Sequence, residues 1–142
     1  MMDRRARGVR VVLAALLFAS VALGLVACCG GSSGPGISNV TLALSVDAAT
    51  RQPTEKTRRF ALDTGEIFVS LKVSGAPPGT KLNASWRHEG KEIVAYQREV
   101  DGTRYAALSI TRPVNGWPAG EYEVVLSLDG KHEKRAEFTI GP

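Results

Sequence analysis

Two thiols and two imidazoles are among the side chains of this 142-residue chain that could carry nucleophilic, acid–base or metal chemistry. Cys28 and Cys29 are adjacent, whereas His88 and His132 lie far apart in the sequence. A thiolate is a strong nucleophile. An imidazole acts as a general base or a zinc ligand only where partner side chains converge on it. The elements that position these four residues therefore decide which chemistry the chain can perform.

The segment before Cys28 has the composition of a secretory signal. An uncharged apolar run extends from Val11 to Val26, and the small residue Ala27 directly precedes the cysteine. The run follows a basic start, which consists of Arg4, Arg5, Arg7 and Arg10. A positive start, an apolar middle and small residues at a cleavage point are typical of exported proteins.

The tetrapeptide Leu25-Val26-Ala27-Cys28 resembles the lipobox of bacterial lipoproteins. The resemblance implies that Cys28 receives a diacylglyceryl thioether, that residues 1–27 are removed as a signal peptide, and that the new amino group is acylated. A thiol is the nucleophile that this lipid transfer requires. Cys29 fits less well, because cleavage before it would leave the larger Cys28 at a position where signal peptidases require a small side chain.

An uncleaved transmembrane anchor is the alternative, since the apolar run is close to the length of about 20 residues that spans a bilayer. Both interpretations place the C-terminal part in the bacterial cell envelope. If the organism has two membranes, the lipoprotein resemblance implies the outer membrane, facing the periplasm, because Cys29 stands where a retention signal for the inner membrane would have aspartate.

Charge and cysteine content restrict the partners and the fold of the remaining chain. The full sequence has 18 basic and 14 acidic residues. Removal of the four signal arginines and Asp3 leaves 14 basic and 13 acidic residues. A nearly neutral domain gives no reason to expect nucleic acid as a partner. No cysteine follows Cys29, so an intradomain disulfide is excluded. We expect one domain, residues 37–142, and a monomer.

Residues 28–36 form the predicted lipidated cysteine and a Gly/Ser tether. A flexible segment such as Gly30–Gly36 has an end-to-end distance of roughly 15 Å. From Ile37 onward, apolar residues alternate with polar ones, which is typical of strands with one buried face. The sequence predicts seven strands, separated by turns at 47–59, 76–79, 89–90, 101–102, 113–120 and 129–130.

Trp86 on the third predicted strand and Trp117-Pro118-Ala119-Gly120-Glu121-Tyr122 before the sixth are similar to the core tryptophan and tyrosine corner of immunoglobulin-like and fibronectin-type domains. The resemblance implies an all-β fold, an antiparallel seven-stranded immunoglobulin-like β-sandwich, in which Trp86 and Tyr122 are structural. The paired cysteines of antibody domains are missing, which favours the disulfide-free, fibronectin-like branch. Such an architecture implies no particular activity.

If every connection reverses the chain, the odd-numbered connections share one end of the domain and the even-numbered ones share the other end with the tether. We call these the distal end and the tether end. His88 then belongs to the distal end and His132 to the tether end, so a shared metal site is not expected. We predict no catalytic residues, no metal and no cofactor.

The same count predicts a candidate contact surface at the distal end, with the basic 47–59 loop beside it. Its residues are Arg58, Arg59, His88, Lys91 and Trp117. An exposed tryptophan beside arginines is typical of binding hot spots, although Trp117 would equally serve as a lid on the core. We expect a non-enzymatic binding or structural module for an envelope protein or polysaccharide. An enzyme inhibitor, or an enzyme with its site in these loops, is the alternative.

Overall fold

The computed structural model describes residues 34–142, which form β-strands and contain no helix. The all-β prediction is therefore confirmed for this range. The strands are β1 Gly36–Ala43, β2 Arg59–Phe60, β3 Glu66–His88, β4 Lys91–Thr111, β5 Gly120–Leu128 and β6 Lys131–Ile140. No stretch of residues 34–142 forms a helix of the length and apolarity that a membrane span needs. The predicted signal segment, Cys28 and Cys29 lie outside the described residues.

Six strands are present where the sequence predicted seven. The predicted second and third strands are one continuous β3, and the predicted fourth and fifth strands are one continuous β4. The predicted hairpin at Asp101-Gly102 is therefore wrong. Gly102 pairs with Ala76 of β3, so the ladder continues across the region where two turns were expected. The sixth and seventh predicted strands are present as β5 and β6, and the two-residue β2 at the end of the 47–59 connection brings the total to six.

All six strands belong to one hydrogen-bonded sheet, with the order β1-β3-β5-β6-β2 and with β4 also paired to β3. The pairing is antiparallel except for β2, which lies parallel to β6. The first part of β3 pairs with β1 and its last part with β5, while β4 follows nearly the whole of β3. Register shifts near Ala76 interrupt this long ladder.

One apolar core is lined by alternate residues from both parts of β3 and from the other strands. Ile67, Val69 and Leu71 are fully buried in the first part of β3, and Leu82 and Trp86 in the last part. All belong to the same core cluster, together with residues of β5 and β6. Because the two parts of one strand cover the same core, the sheet must curl on itself.

The hairpin turns and the bends of β3 and β4 lie at two ends of the domain, although two of the predicted turns at the tether end are bends in continuous strands. At the tether end, the Gly75 amide donates to Thr103 Oγ1 and the Asp129 amide donates to the Lys81 carbonyl. At the distal end, the Arg112 amide donates to the Gly65 carbonyl.

The 47–59 connection does not lie wholly at the distal end, and that part of the prediction is wrong. Its first half is a small hairpin in which Val46 forms a bridge with Pro53. The Ser70 hydroxyl, fully buried on the outer face of β3, donates to the Arg51 carbonyl at 2.7 Å. The tip of this loop therefore covers the sheet, and its last residues, Arg58 and Arg59, reach the distal end.

Candidate functional site

Trp117 lies in the core and not on the surface. Its side chain is 6% exposed, and its ring is perpendicular to that of Tyr122 with the centroids 6.3 Å apart. The indole Nε1 donates to the Thr64 carbonyl at 2.6 Å. Of the two interpretations left open by the sequence, the structure has the lid on the core, and the predicted exposed tryptophan is wrong.

Tyr122 and Trp86 form the inner layer of the same aromatic cluster. Tyr122 stacks on Phe138 at a centroid distance of 5.3 Å, and Trp86 meets Phe138 edge-on at 6.0 Å. The Tyr122 hydroxyl donates to the Pro118 carbonyl. Burial raises the pKa of the Tyr122 phenol, and the nearby Glu89 carboxylate raises it further. Trp86 Nε1 is buried without a hydrogen-bond partner among the described residues.

The two histidines lie at opposite ends, as expected. His88 stacks against Tyr122 at the distal end with a centroid distance of 4.5 Å, and its Nε2 is 3.2 Å from the Ala119 carbonyl. His132 follows the Asp129-Gly130 turn at the tether end. Within residues 34–142, no group of three or more His, Cys, Asp or Glu residues is arranged to hold a metal ion.

The predicted contact residues Arg58 and Arg59 border an open groove at the distal end. The Arg58 and Phe60 carbonyls accept hydrogen bonds from the Thr139 and Gly141 amides, which hold β2 against the edge of β6. The groove has a volume of about 510 Å³ and is bounded on its other side by the Glu89-Gly90 turn. Lys91, the remaining predicted contact residue, is exposed and pairs with His88 just after that turn.

Four glutamates make this groove acidic, which corrects the prediction of an aromatic and basic patch. Glu121 and Glu123 of β5 and Glu137 of β6 line it together with Glu89, opposite the two arginines. Glu123 is 3.7 Å from the Arg87 guanidinium and 3.6 Å from that of Arg135. We call this site the acidic groove. Four glutamates and two arginines line it, and two further arginines, Arg87 and Arg135, pair with Glu123.

Glu89 is held in place by three features of the backbone around it. Its amide donates to the Glu121 carbonyl at 2.9 Å, and its Oε1 accepts the Glu121 amide at 2.9 Å. Glu89 and Gly90 both have positive φ, which forms the tight turn that the sequence predicted. Gly120 has φ +140°, and a Cβ there would collide with the Glu89 carboxylate. The carboxylate is thus oriented by contacts within the domain.

The groove glutamates were missed in the sequence analysis, although a signal for them exists. Residues 121, 123 and 137 alternate with the core residues Tyr122, Val124 and Phe138. They therefore face outward on neighbouring strands, at paired positions such as Glu123 and Glu137. An outward row of glutamates on two adjacent predicted strands would have identified the acidic surface.

No family model matches the sequence, and no curated protein matches it. Among solved structures, an alkylpurine DNA glycosylase of Pseudomonas fluorescens is similar at 10% identity and TM-score 0.48, over 78% of this chain and 31% of that one. A β-glucosidase of Erythrobacter marinus gives 10% identity and TM-score 0.45, over 75% of this chain and 15% of that one. A β-glucosidase of Listeria innocua gives 8% identity and TM-score 0.43, over 76% of this chain and 16% of that one. The chain thus spans less than two thirds of each of these proteins, and likenesses this weak assign no family and no activity.

Proposed function

We propose that this chain is a lipid-anchored, non-enzymatic protein of the bacterial envelope that binds a basic segment of a partner protein in the acidic groove. The observation that carries the proposal is the convergence of Glu89, Glu121, Glu123 and Glu137 on one open groove. Electrostatic complementarity between such a surface and lysine or arginine side chains steers association and selects the partner.

Membrane attachment is supported by the sequence Leu25-Val26-Ala27-Cys28 and by where the domain begins. β1 starts at Gly36, which pairs with Ser74 of β3 beside the tether-end turns. The acidic groove lies at the other end of the strands. A domain tethered in this way has its attachment point and the groove at opposite ends, so the anchor does not block the approach of an envelope partner to the groove.

An immunoglobulin-like arrangement of the curled sheet is part of the proposal. β1 packs against β6 without pairing with it, as strands of two facing layers do. The bond from the Tyr122 hydroxyl to the Pro118 carbonyl, four residues upstream, is similar to the tyrosine corner of such domains. These observations support two layers joined through the bends of β3 and β4.

A protein partner is favoured over a polysaccharide because the aromatic rings near the groove are buried. Tyr122 and Phe138 are each 3% exposed, so neither offers a face on which a sugar could stack. Exposed ion pairs contribute about 0.2–1 kcal/mol each. Several such pairs predict a moderate affinity that falls as salt is raised, since added ions screen exposed charges.

Zero-length crosslinking tests this proposal in envelope extract, because a carbodiimide joins a carboxylate directly to a lysine amine. With the full chain, we expect crosslinked peptides between Glu121 or Glu137 and lysines of a single partner protein. The variant Glu121→Gln with Glu137→Gln should lose both the crosslinks and the salt-sensitive capture of that partner. Arg58→Ala with Arg59→Ala removes positive charge from the rim and should strengthen the capture of a basic segment.

The matched control is Glu55→Gln with Asp63→Asn, which removes the same charge at exposed carboxylates outside the groove. This control should capture the partner as the native chain does. Equal capture by the groove variant, or crosslinks spread over the whole surface, would show that the groove is not the binding site.

A further inference from the structure

A second cleft, with the opposite charge, lies near the tether end. It has a volume of about 410 Å³, and its lining residues include Arg51, Arg98 and Arg104. Val100 and Ala106, at 7% and 5% exposure, form an apolar floor. We call this site the arginine cleft.

The loop that carries Arg51 is hydrogen-bonded to β3. The Asp47 carboxylate accepts hydrogen bonds from the Ala49 amide at 2.9 Å and the Thr50 amide at 2.7 Å, and these bonds lower the pKa of Asp47. The buried Ser70 hydroxyl binds the Arg51 carbonyl. Arg51 itself has φ +63°, an unusual conformation for a residue with a side chain. Such a local constraint fixes where Arg51 enters the cleft.

Arg98 and Arg104 are positioned by the backbone and retain donors for a ligand. Arg98 Nη1 donates to the Ala107 carbonyl at 3.2 Å, and Arg104 Nε donates to the Asp101 carbonyl at 2.9 Å. Arg104 also pairs with the Asp101 carboxylate. Each guanidinium has five N–H donors, so these bonds use only a part of them. Glu99, the one acidic residue lining the cleft, pairs with Lys81.

The arginine cleft is close to the point where the chain enters the domain. Ile37 of β1, Val73 of β3 and Arg104 of β4 form one row across the sheet. Neighbouring strands are about 4.8 Å apart, so Arg104 lies about 10 Å from Ile37 along that row. In a domain tethered through residues 28–36, this cleft is therefore within reach of the surface of the membrane that carries the anchor.

We propose that the arginine cleft binds the phosphate group of anionic lipid headgroups in that membrane. Guanidinium groups bind phosphate oxygens in pairs of parallel hydrogen bonds, which suits an anion with several acceptors. The apolar floor can accept the glycerol part of the headgroup. Anionic lipids attract basic residues near the bilayer surface. The inference rests on the proposed membrane attachment, and it adds a second contact that sets the orientation of the domain.

Hydrogen exchange of the full chain in vesicles tests this proposal. The two vesicle types contain phosphatidylcholine alone or phosphatidylcholine with phosphatidylglycerol. We expect slower amide exchange in peptides covering 47–52 and 98–106 in the phosphatidylglycerol vesicles. In Arg98→Gln with Arg104→Gln, which keeps side-chain donors but removes charge, the protection should fall by roughly fivefold per arginine.

The matched control is Arg112→Gln, which removes an exposed arginine at the distal end and should leave the protection unchanged. Equal exchange in the two vesicle types would overturn the proposal. Protection by inorganic phosphate in solution, without a difference between the vesicles, would assign the cleft to a soluble anion and overturn the lipid assignment. Failed membrane attachment would look different, because the chain would then be missing from both vesicle types.

Discussion

Tyr122 links the core of the domain to the backbone beneath the acidic groove. Its ring contacts Trp117, His88 and Phe138, and its hydroxyl donates to Pro118. Pro118 and Gly120 lie in the segment that leads to Glu121. The Tyr122 side chain therefore contributes both to the packing of the aromatic core and to the position of the backbone next to the acidic groove. The sequence predicted the structural role of Tyr122 through the resemblance to a tyrosine corner.

We expect Tyr122→Phe to lower the free energy of unfolding by about 1 kcal/mol, through loss of the bond to the Pro118 carbonyl. Because the pKa of Tyr122 is raised in the folded state, its contribution is complete below pH 10 and is lost as pH rises through the folded pKa. Urea unfolding of the native chain should show this alkaline loss, and the variant should lack it. Tyr96→Phe, at an exposed tyrosine, should unfold as the native chain does.

The strands themselves were largely predictable from their alternation, but the breaks between them were not. Glycines with positive φ occur in a hairpin turn at Gly130 and in a continuing strand at Gly102, so the residue type does not distinguish the two. Pro77 and Pro78 fall within the register shift between Ala76 and Thr80, where amides are not needed for the ladder. The Thr80 hydroxyl donates to the Pro77 carbonyl and stabilises that bend. Whether such a glycine forms a turn or lies in a bulge depends on whether a neighbouring strand pairs with the residues around it.

The small hairpin that contains the Val46–Pro53 bridge is joined to β3 at its tip by the buried Ser70 hydroxyl. Ser70→Ala should lower the free energy of unfolding by about 1 kcal/mol and release the loop, because the Arg51 carbonyl loses its donor. Trypsin should then cleave after Arg51 faster than in the native chain. Ser74→Ala, on the same strand, is the control. An unchanged cleavage rate at Arg51 would show that the loop is held by its own hairpin bonds instead.

Across the whole molecule, the charges separate into an acidic groove at one end and an arginine cleft near the other. The alternation of Glu121 and Glu137 with core residues indicates an outward acidic row, but the addition of Glu89 to that row depends on the pairing of strands. The arginines of the cleft come from a loop and two separate parts of β4. Sequence patterns identify which residues face outward, while the pairing of strands decides which of them meet.

Membrane attachment makes a prediction for the entire chain. Cys28→Ser should abolish acylation and leave a full-length precursor, because serine cannot form the lipid thioether. Cys29→Ser should be acylated and cleaved normally. Intact mass and fatty-acid labelling measure both outcomes, and both variants should keep a folded domain, since it contains no cysteine. A native chain that keeps residues 1–27, or that ends in an unmodified Cys28, would contradict the lipoprotein assignment.

The long pairing of β3 with β4 also bears on how quickly the domain can fold. This ladder runs from His88 and Lys91, next to the Glu89-Gly90 turn, out to Glu66 and Thr111. Each new pair closes only a slightly larger loop than the one before, so the ladder can grow outward from the turn at a small entropic cost. Pairing of β1 or β5 with β3 brings together residues from different parts of the chain and has to follow. We therefore expect the folding nucleus to form at the Glu89-Gly90 turn, which also borders the acidic groove.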